Sequence, residues 1–465
     1  MSTFAPPLDP ARALEVAQRA VRDCPADAVE VTVLGRAGEY TRFAGDRIHQ
    51  PQDITELTVS VKAIVNGHAA RAATTSLDRV AETARAAADL ARGRAAAAGA
   101  PGHATVGTPG PLPELSLWHE DTAAFDAGAR VALAGRAMRG GAEVGGVAAG
   151  MIGRALTQIA VATSSGTAVH AEATEASGSL TVSVDGGTAH WVDLHRSSDA
   201  LRAGDAIDAA VRRALAGRGR MPMPDGEFTV VLGPQAAGEL LGFLPDVGFS
   251  GELAAAGVGV CTDPGARRAS ELITVGDDAL APVGLPIPFD FEGTPKQRVP
   301  FLQTGVVGRP VTDLATAAAL GETVNGGRST GHAHIAREEV PSPVAANIVM
   351  PAGPTPEADL IAGVERGVYV ERFWYTRLVD RQASTITGVS RDACFLIEDG
   401  ELAAPVDTGR FTQSVLGFLG SVDGVGDQVR SQPVMNVWNG SVSAPALRGS
   451  GFRFGNRPLP DGQDS

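Results

Sequence analysis

The segment Glu227–Val247, EFTVVLGPQAAGELLGFLPDV, decides how the rest of the chain is read. Phe228-Thr229-Val230-Val231-Leu232 is β-branched and apolar, which predicts a buried strand. Gly233-Pro234 breaks it, and Pro234 suits the first turn of a helix. Ala236, Ala237, Leu240, Leu241 and Leu244 recur at three- and four-residue spacing, and Pro245 stops that helix. A strand, a tight turn and an apolar helix can carry chemistry at the turn or along the helix. This helix has no His, Cys or Lys, and its one acid is Glu239. The segment is built to pack.

Composition bounds the possibilities around it. A chain of 465 residues is long enough for two or three domains with large cores. Its 44% apolar and 20% charged residues are those of an ordinary globular protein. A formal net charge of −14 argues against a nucleic-acid surface or an anionic membrane as partner. Cys24, Cys261 and Cys394 are odd in number and far apart, so three reduced, buried thiols are expected. The first residues, MSTFAPPLDPARALEVAQ, show neither a basic nor an apolar signal region, and no run reaches the ~18 apolar residues of a membrane span. These features predict a soluble, cytoplasmic protein.

Upstream of the segment, two units repeat the order helix, meander, helix. In the first, Asp9-Pro10 caps a helix, strands are expected at Val29–Leu34, Glu39–Ala44 and Leu57–Val65, and Asn66-Gly67 makes a turn. A helix over Ser76–Arg94 follows, with Val80, Ala84, Ala87, Leu90 and Ala91 on its buried side. The second unit opens with a helix near Thr122–Arg139, then strands at Gly146–Gly153, Thr157–Ala162, Ala168–Ala173 and Leu180–Val184. A helix through Ile207, Val211 and Leu215 closes it. Pro/Gly-rich stretches separate the units, so the expected domains are 1–105, 114–217 and 226–452, with a loose tail over 453–465. Beyond the opening strand and helix, the last domain reads as mostly β, and Asp399-Gly400 marks its clearest hairpin. The fold class is therefore α+β: two helix/antiparallel-sheet units followed by a large β-rich domain with a curved or barrel-like sheet.

Residue chemistry alone names no active site. Gly327-Arg328-Ser329-Thr330-Gly331 matches the G-x-S-x-G elbow, but neither the preceding strand nor the following helix that the motif needs is present. His332 and His334 share a face if extended, and Glu338 and Glu339 stand close enough to complete a metal site; in a polar loop the pair is solvated instead. His170, His190 and His195 fall on strands and turns, as exposed sheet-face residues. His119-Glu120 begins a zincin-like H-E, but no second His follows at the required spacing.

Several stretches resemble the TldD/PmbA family, whose PmbA-type member is also called TldE and which is described as modulators of DNA gyrase and as peptidases. They are Arg42–Gln50, Glu227–Leu244, Phe289–Pro295, Ser329–Ala333, Gly367–Tyr375, Thr387–Asp392 and Phe395–Leu402. The resemblance implies a heterodimer of two similar subunits around a closed cavity. One subunit carries zinc on an H-E-x-x-x-H helix and cleaves unfolded peptides or modified peptide precursors; the other lacks the motif. Aligned through the shared V-V-L strand and L-L pair, the motif positions fall on Gly242, Phe243 and Val247 of this chain, none of which binds zinc. The resemblance thus implies a zinc-free, non-catalytic subunit that holds no cofactor itself, with zinc in its TldD-like partner and an extended peptide as substrate. Phe373, Trp374 and Tyr375 are the aromatic candidates for a peptide groove, with core or interface packing as the competing role. A stand-alone hydrolase with a site near Ser329, His332 and His334, and a homodimeric peptide-binding protein, are the alternatives.

Overall fold

The computed structural model describes residues 4–335, 341–434 and 440–455. Six strands make the first sheet: β1 (Ala28–Ala44), β2 (Arg47–Val65), β3 (His68–Thr74), β4 (Val147–Thr163), β5 (Ala168–Val184) and β6 (Gly187–His195). They are antiparallel in the order β3-β2-β1-β4-β5-β6. The two N-terminal units are therefore not separate layers, because β1 pairs with β4 from Glu30 to Ala44 and joins them in one sheet.

The strands are also longer than expected. The stretches Val29–Leu34 and Glu39–Ala44 are one strand, as are the pairs of segments within β4 and β5. Two glycines inside these strands act as pits for aromatic rings on neighbouring strands. A Cβ on Gly153 would lie 2.2 Å from the Tyr40 ring, and one on Gly178 would lie 2.3 Å from the Trp191 ring.

Helices α1 (Pro10–Asp23), α2 (Val80–Ala98), α4 (Ala127–Glu143) and α5 (Ala203–Ala216) pack on this sheet, with a short α3 (Glu120–Ala123) before α4. Asp9 caps α1 as expected, its carboxylate accepting from the Ala11 N–H at 2.9 Å. In α2 the buried face runs through Val80, Ala84, Ala87, Ala88 and Ala91, which leaves Leu90 exposed, contrary to expectation.

The C-terminal unit is built on a closed ring of strands. β7 (Gly226–Leu232) pairs in parallel with β14 (Arg366–Asp380) and antiparallel with β19 (Ser441–Phe454). β15 (Thr385–Glu398) and β17 (Arg410–Ser414) complete the barrel between β14 and β19. An arm of β8 (Val275–Asp278), β9 (Arg298–Gln303), β10 (Val306–Val307) and β13 (Asn347–Val349) extends from β19. β16 (Glu401–Pro405) and β18 (Val422–Pro433) flank the ring, and β11 (Ala333–Ile335) with β12 (Pro341–Pro343) forms a separate ribbon. Phenylalanines fill the barrel: Phe373 stacks on Phe452 at 5.6 Å between centroids and meets Phe411 at 4.5 Å. The strand continues to Phe454, so the loose tail expected from residue 453 does not begin there; residues 456–465 lie outside the described chain. Of the three thiols, Cys24 and Cys394 are buried and Cys261 is only partly so. Among the described residues no helix is long and apolar enough to cross a membrane.

Buried charge joins the sheet to the barrel unit. Lys62 on β2 reaches Glu292 at 3.1 Å and Glu30 at 3.4 Å, and Arg71 on β3 meets Glu30 at 2.7 Å. Burial disfavours the Lys62 ammonium, but Glu30 and Glu292 offset this and its pKa is raised. Beside it, the Thr32 hydroxyl donates to the Phe291 carbonyl at 3.0 Å.

Candidate functional site

The helix onto which the resemblance places the zinc motif is α6 (Pro234–Leu241), set against β14 by the Gly233 N–H, which donates to the Val370 carbonyl at 2.9 Å. Its apolar face, Ala236, Ala237, Leu240 and Leu241, is buried in the barrel-unit core. Gly242 closes the helix, and its N–H donates to the Gly238 carbonyl at 2.9 Å. The chain then turns through Pro245–Phe249, where glycine is required at 248 because φ is 141° and a Cβ would meet the Val260 nitrogen at 2.4 Å. Val247 is 1% exposed within the apolar core. Phe243 is half-buried and packs against the outside of that core.

The polar side of α6 faces an arginine-rich bend in β14. Glu239 accepts a hydrogen bond from the Thr376 hydroxyl. Burial pushes its carboxyl up, against the opposing pull of Thr376, Arg372 and Arg377. The β14–β15 register slips near Arg372, Arg377 and Asp380, and Tyr375 has a φ of 57°, a conformation that bulky side chains rarely adopt. The slip turns two of the three expected aromatics outward: Trp374 is 42% and Tyr375 69% exposed, whereas Phe373 points into the barrel and contacts no groove. Arg391 and Arg372 stand 4.9 and 5.1 Å from the Trp374 centroid, and Arg377 stands 5.4 Å from that of Tyr375. Arg372 is also paired with Asp392. An acidic protein thus presents a local cationic, aromatic surface beside α6. Neither the arginine cluster nor the place of Glu239 was legible in the sequence, because both depend on contacts between segments distant along the chain.

The serine–histidine region differs from expectation more sharply. It is not a solvated loop: Ser329, Thr330, His332 and His334 are all buried. The Ser329 hydroxyl donates to the Thr312 carbonyl at 3.1 Å and accepts from the Gly331 N–H at 3.0 Å, so it serves the turn. His332 Nδ1 lies 2.9 Å from the Thr330 hydroxyl, and its Nε2 lies 3.0 Å from Asp277 Oδ1 without the direction of a hydrogen bond. Burial lowers the His332 pKa and favours the neutral ring. With no exposed face, the group braces the fold around Thr312. Glu338 and Glu339 lie outside the described residues.

The sheet histidines are likewise not simply exposed. His170 and His195 are half-buried beside Glu172 and Asp193, at 3.7 and 3.1 Å. His190 Nδ1 lies 2.9 Å from Gln235 Oε1 at the start of α6, and burial, aided by Arg372, lowers its pKa from 6.5 to about 4. Between pH 6.5 and 4 the unfolded chain takes up a proton that native His190 refuses, so stability falls as pH falls. Across that window His190→Gln is expected to remove a pH-dependent loss of up to about 3 kcal/mol. Urea unfolding of both chains at several pH values measures the difference, and parallel pH profiles would contradict this account of His190.

A closed barrel with a small-residue helix leaving its first strand, packed beside a six-stranded antiparallel sheet, is the architecture to be compared with known proteins. The chain belongs to the PmbA/TldD family: the model of the PmbA/TldA metallopeptidase C-terminal domain matches residues 225–456. A metalloprotease TldD homologue from Buchnera aphidicola is 27% identical over 246 residues, 52% of this chain and 49% of that protein. One from Haemophilus influenzae is 28% identical over 222 residues, 47% of this chain and 45% of that protein. The chain spans about half the length of the curated relatives it matches. The crystal structure of TldE from Thermococcus kodakarensis superposes with a TM-score of 0.83 at 20% identity, over 95% of this chain and 99% of that one. A protein described as a modulator of a DNA gyrase, from Thermotoga maritima, gives 0.79 at 17% identity, over 95% and 99%. The fold is shared along nearly the whole chain. The zinc that the family implies does not fit at the positions to which the resemblance assigns its motif, just past α6, where Gly242, Phe243 and Val247 offer no side-chain N, O or S donor and Val247 is sealed in the core.

Proposed function

We propose that this chain is the zinc-free subunit of a TldD/TldE-like heterodimeric metallopeptidase acting on unfolded peptides or modified peptide precursors. The observation that carries the reading is the side-chain set at the motif positions, a helix-ending glycine, a rim phenylalanine and a core valine. The chain's part is then to complete the cavity with a zinc-bearing TldD-like partner and to position an extended substrate. Trp374 and Tyr375, with Arg377 and Arg391 beside them, form the surface that contacts the peptide or the partner. The alternative of a hydrolase centred on Ser329, His332 and His334 is disfavoured by their burial, which gives a substrate no access.

Metal analysis and sedimentation test the proposal together. The purified chain is expected to hold less than stoichiometric zinc, and to form a stable complex with a zinc-bearing homologue in preference to itself. A tightly held equivalent of zinc, or a homodimer indifferent to that homologue, would overturn it.

A further inference from the structure

A cavity of about 320 Å³ lies where β6, α5, the first turn of α6, β14 and β18 meet. Much of its wall is apolar, including Ala206, Ala210, Pro234 and Pro356. Its polar groups divide into those already occupied and those left open. Arg213 is occupied: it grips Glu371 at 2.7 and 2.6 Å and Glu357 at 3.2 Å, which fixes one side of the cavity. Arg430 is less committed: its guanidinium makes no side-chain hydrogen bond and no ion pair within 4.0 Å among the described residues, although its charge acts on Glu371 from a greater distance. Trp191 lines the cavity at 3% exposure, and its indole N–H has no acceptor among the described residues.

The histidine beside them is locked in one tautomer. The Gln235 side-chain N–H donates to the His190 carbonyl at 3.2 Å, so its oxygen is turned to His190 Nδ1, which must carry the proton. His190 Nε2 is then an acceptor, and the ring is neutral near pH 7. Glu357 and Asp427 add carboxylates to the same wall.

We propose that this cavity binds a small zwitterion of amino-acid or dipeptide size, its carboxylate on Arg430 and the Trp191 N–H and its ammonium facing Glu357, Asp427 and His190. A cavity of this volume falls at the small end of ligand pockets. One open cation cannot offset a multiply charged anion beside three acidic side chains, and a simple cation leaves Arg430 and the indole unmatched. A neutral molecule with charged ends satisfies both sets. The inference is independent of whether the chain has a zinc-bearing partner.

Calorimetric titration of the full chain with alanine and with L-alanyl-L-alanine tests the inference. At least one is expected to bind, and the better of the two reports the length the site accepts. N-acetylation or C-amidation of that probe is expected to weaken binding about tenfold or more. Arg430→Gln is expected to weaken the uncapped probe similarly and to erase the preference over the C-amide, with unchanged circular dichroism. Trp191→Phe keeps the ring stacked near Gly178 and loses several-fold. No binding of either probe at about 10 mM, equal binding of capped forms, or an Arg430→Gln chain that still discriminates would overturn the proposal.

Discussion

Restoring the zinc motif by Gly242→His, Phe243→Glu and Val247→His is expected to destabilise the chain by about 3–6 kcal/mol without creating peptidase activity. The three changes contribute unequally. Gly242 has an ordinary helical φ of −59°, and its nearest neighbours for a new Cβ are helix carbonyl oxygens at 3.3 and 3.4 Å, so that substitution costs little. Phe243 is half-buried, and its loss removes only part of the about 1.5–3 kcal/mol of a fully buried ring. Val247 dominates, because a larger imidazole there both overpacks the core and leaves ring nitrogens without partners. The helix ends at Leu241, which leaves the new side chains on a turn without the positioning partners a metal site needs. Urea unfolding, zinc titration and a peptide-cleavage assay of the triple variant check this. A variant that unfolds at the parent midpoint and cleaves peptide with added zinc would refute it.

Lys62→Met carries the second large effect, an expected loss of about 3–5 kcal/mol. Glu30 keeps Arg71, but Glu292 loses its one ion-pair partner among the described residues while remaining buried. Burial, with Glu30 nearby, already raises the Glu292 pKa to about 7 despite Lys62. Without the ammonium the pKa rises further above its unfolded value, so the variant stays protonated at low pH and loses stability as pH rises through the neutral range. Adding Glu292→Gln is expected to recover part of the loss and to flatten that pH dependence. Denaturant midpoints of the two single variants and the double variant at pH 6 and 8 measure the coupling, and strictly additive effects would show that the pair is not linked.

Much of this molecule is written in local sequence. The Asp9 cap, the Asn66-Gly67 and Asp399-Gly400 turns, and the strand and tight turn that open Glu227–Val247 formed as read, because each rests on propensities within a few residues; the helix after them ends at Leu241 and not, as expected, at Pro245. The side-chain set at Gly242, Phe243 and Val247 is likewise local, and no fold supplies a donor atom that the sequence lacks.

What only the tertiary structure decided depends on partners distant along the chain. The space at Gly153 and Gly178 gains its meaning only when the Tyr40 and Trp191 rings lie across from them. The two N-terminal units read as separate until β1 meets β4, a pairing set by sheet register and not by either segment alone. His332 reads as a loop residue until Asp277 and Thr330 close around it in the dry interior. The same holds for the arginines around Trp374, Arg372 on β14 and Arg391 on β15, which are far apart in the sequence and meet where the two strands pair. Local periodicity reports which face of an element is apolar, whereas burial of polar groups is settled by long-range pairing that no short window contains.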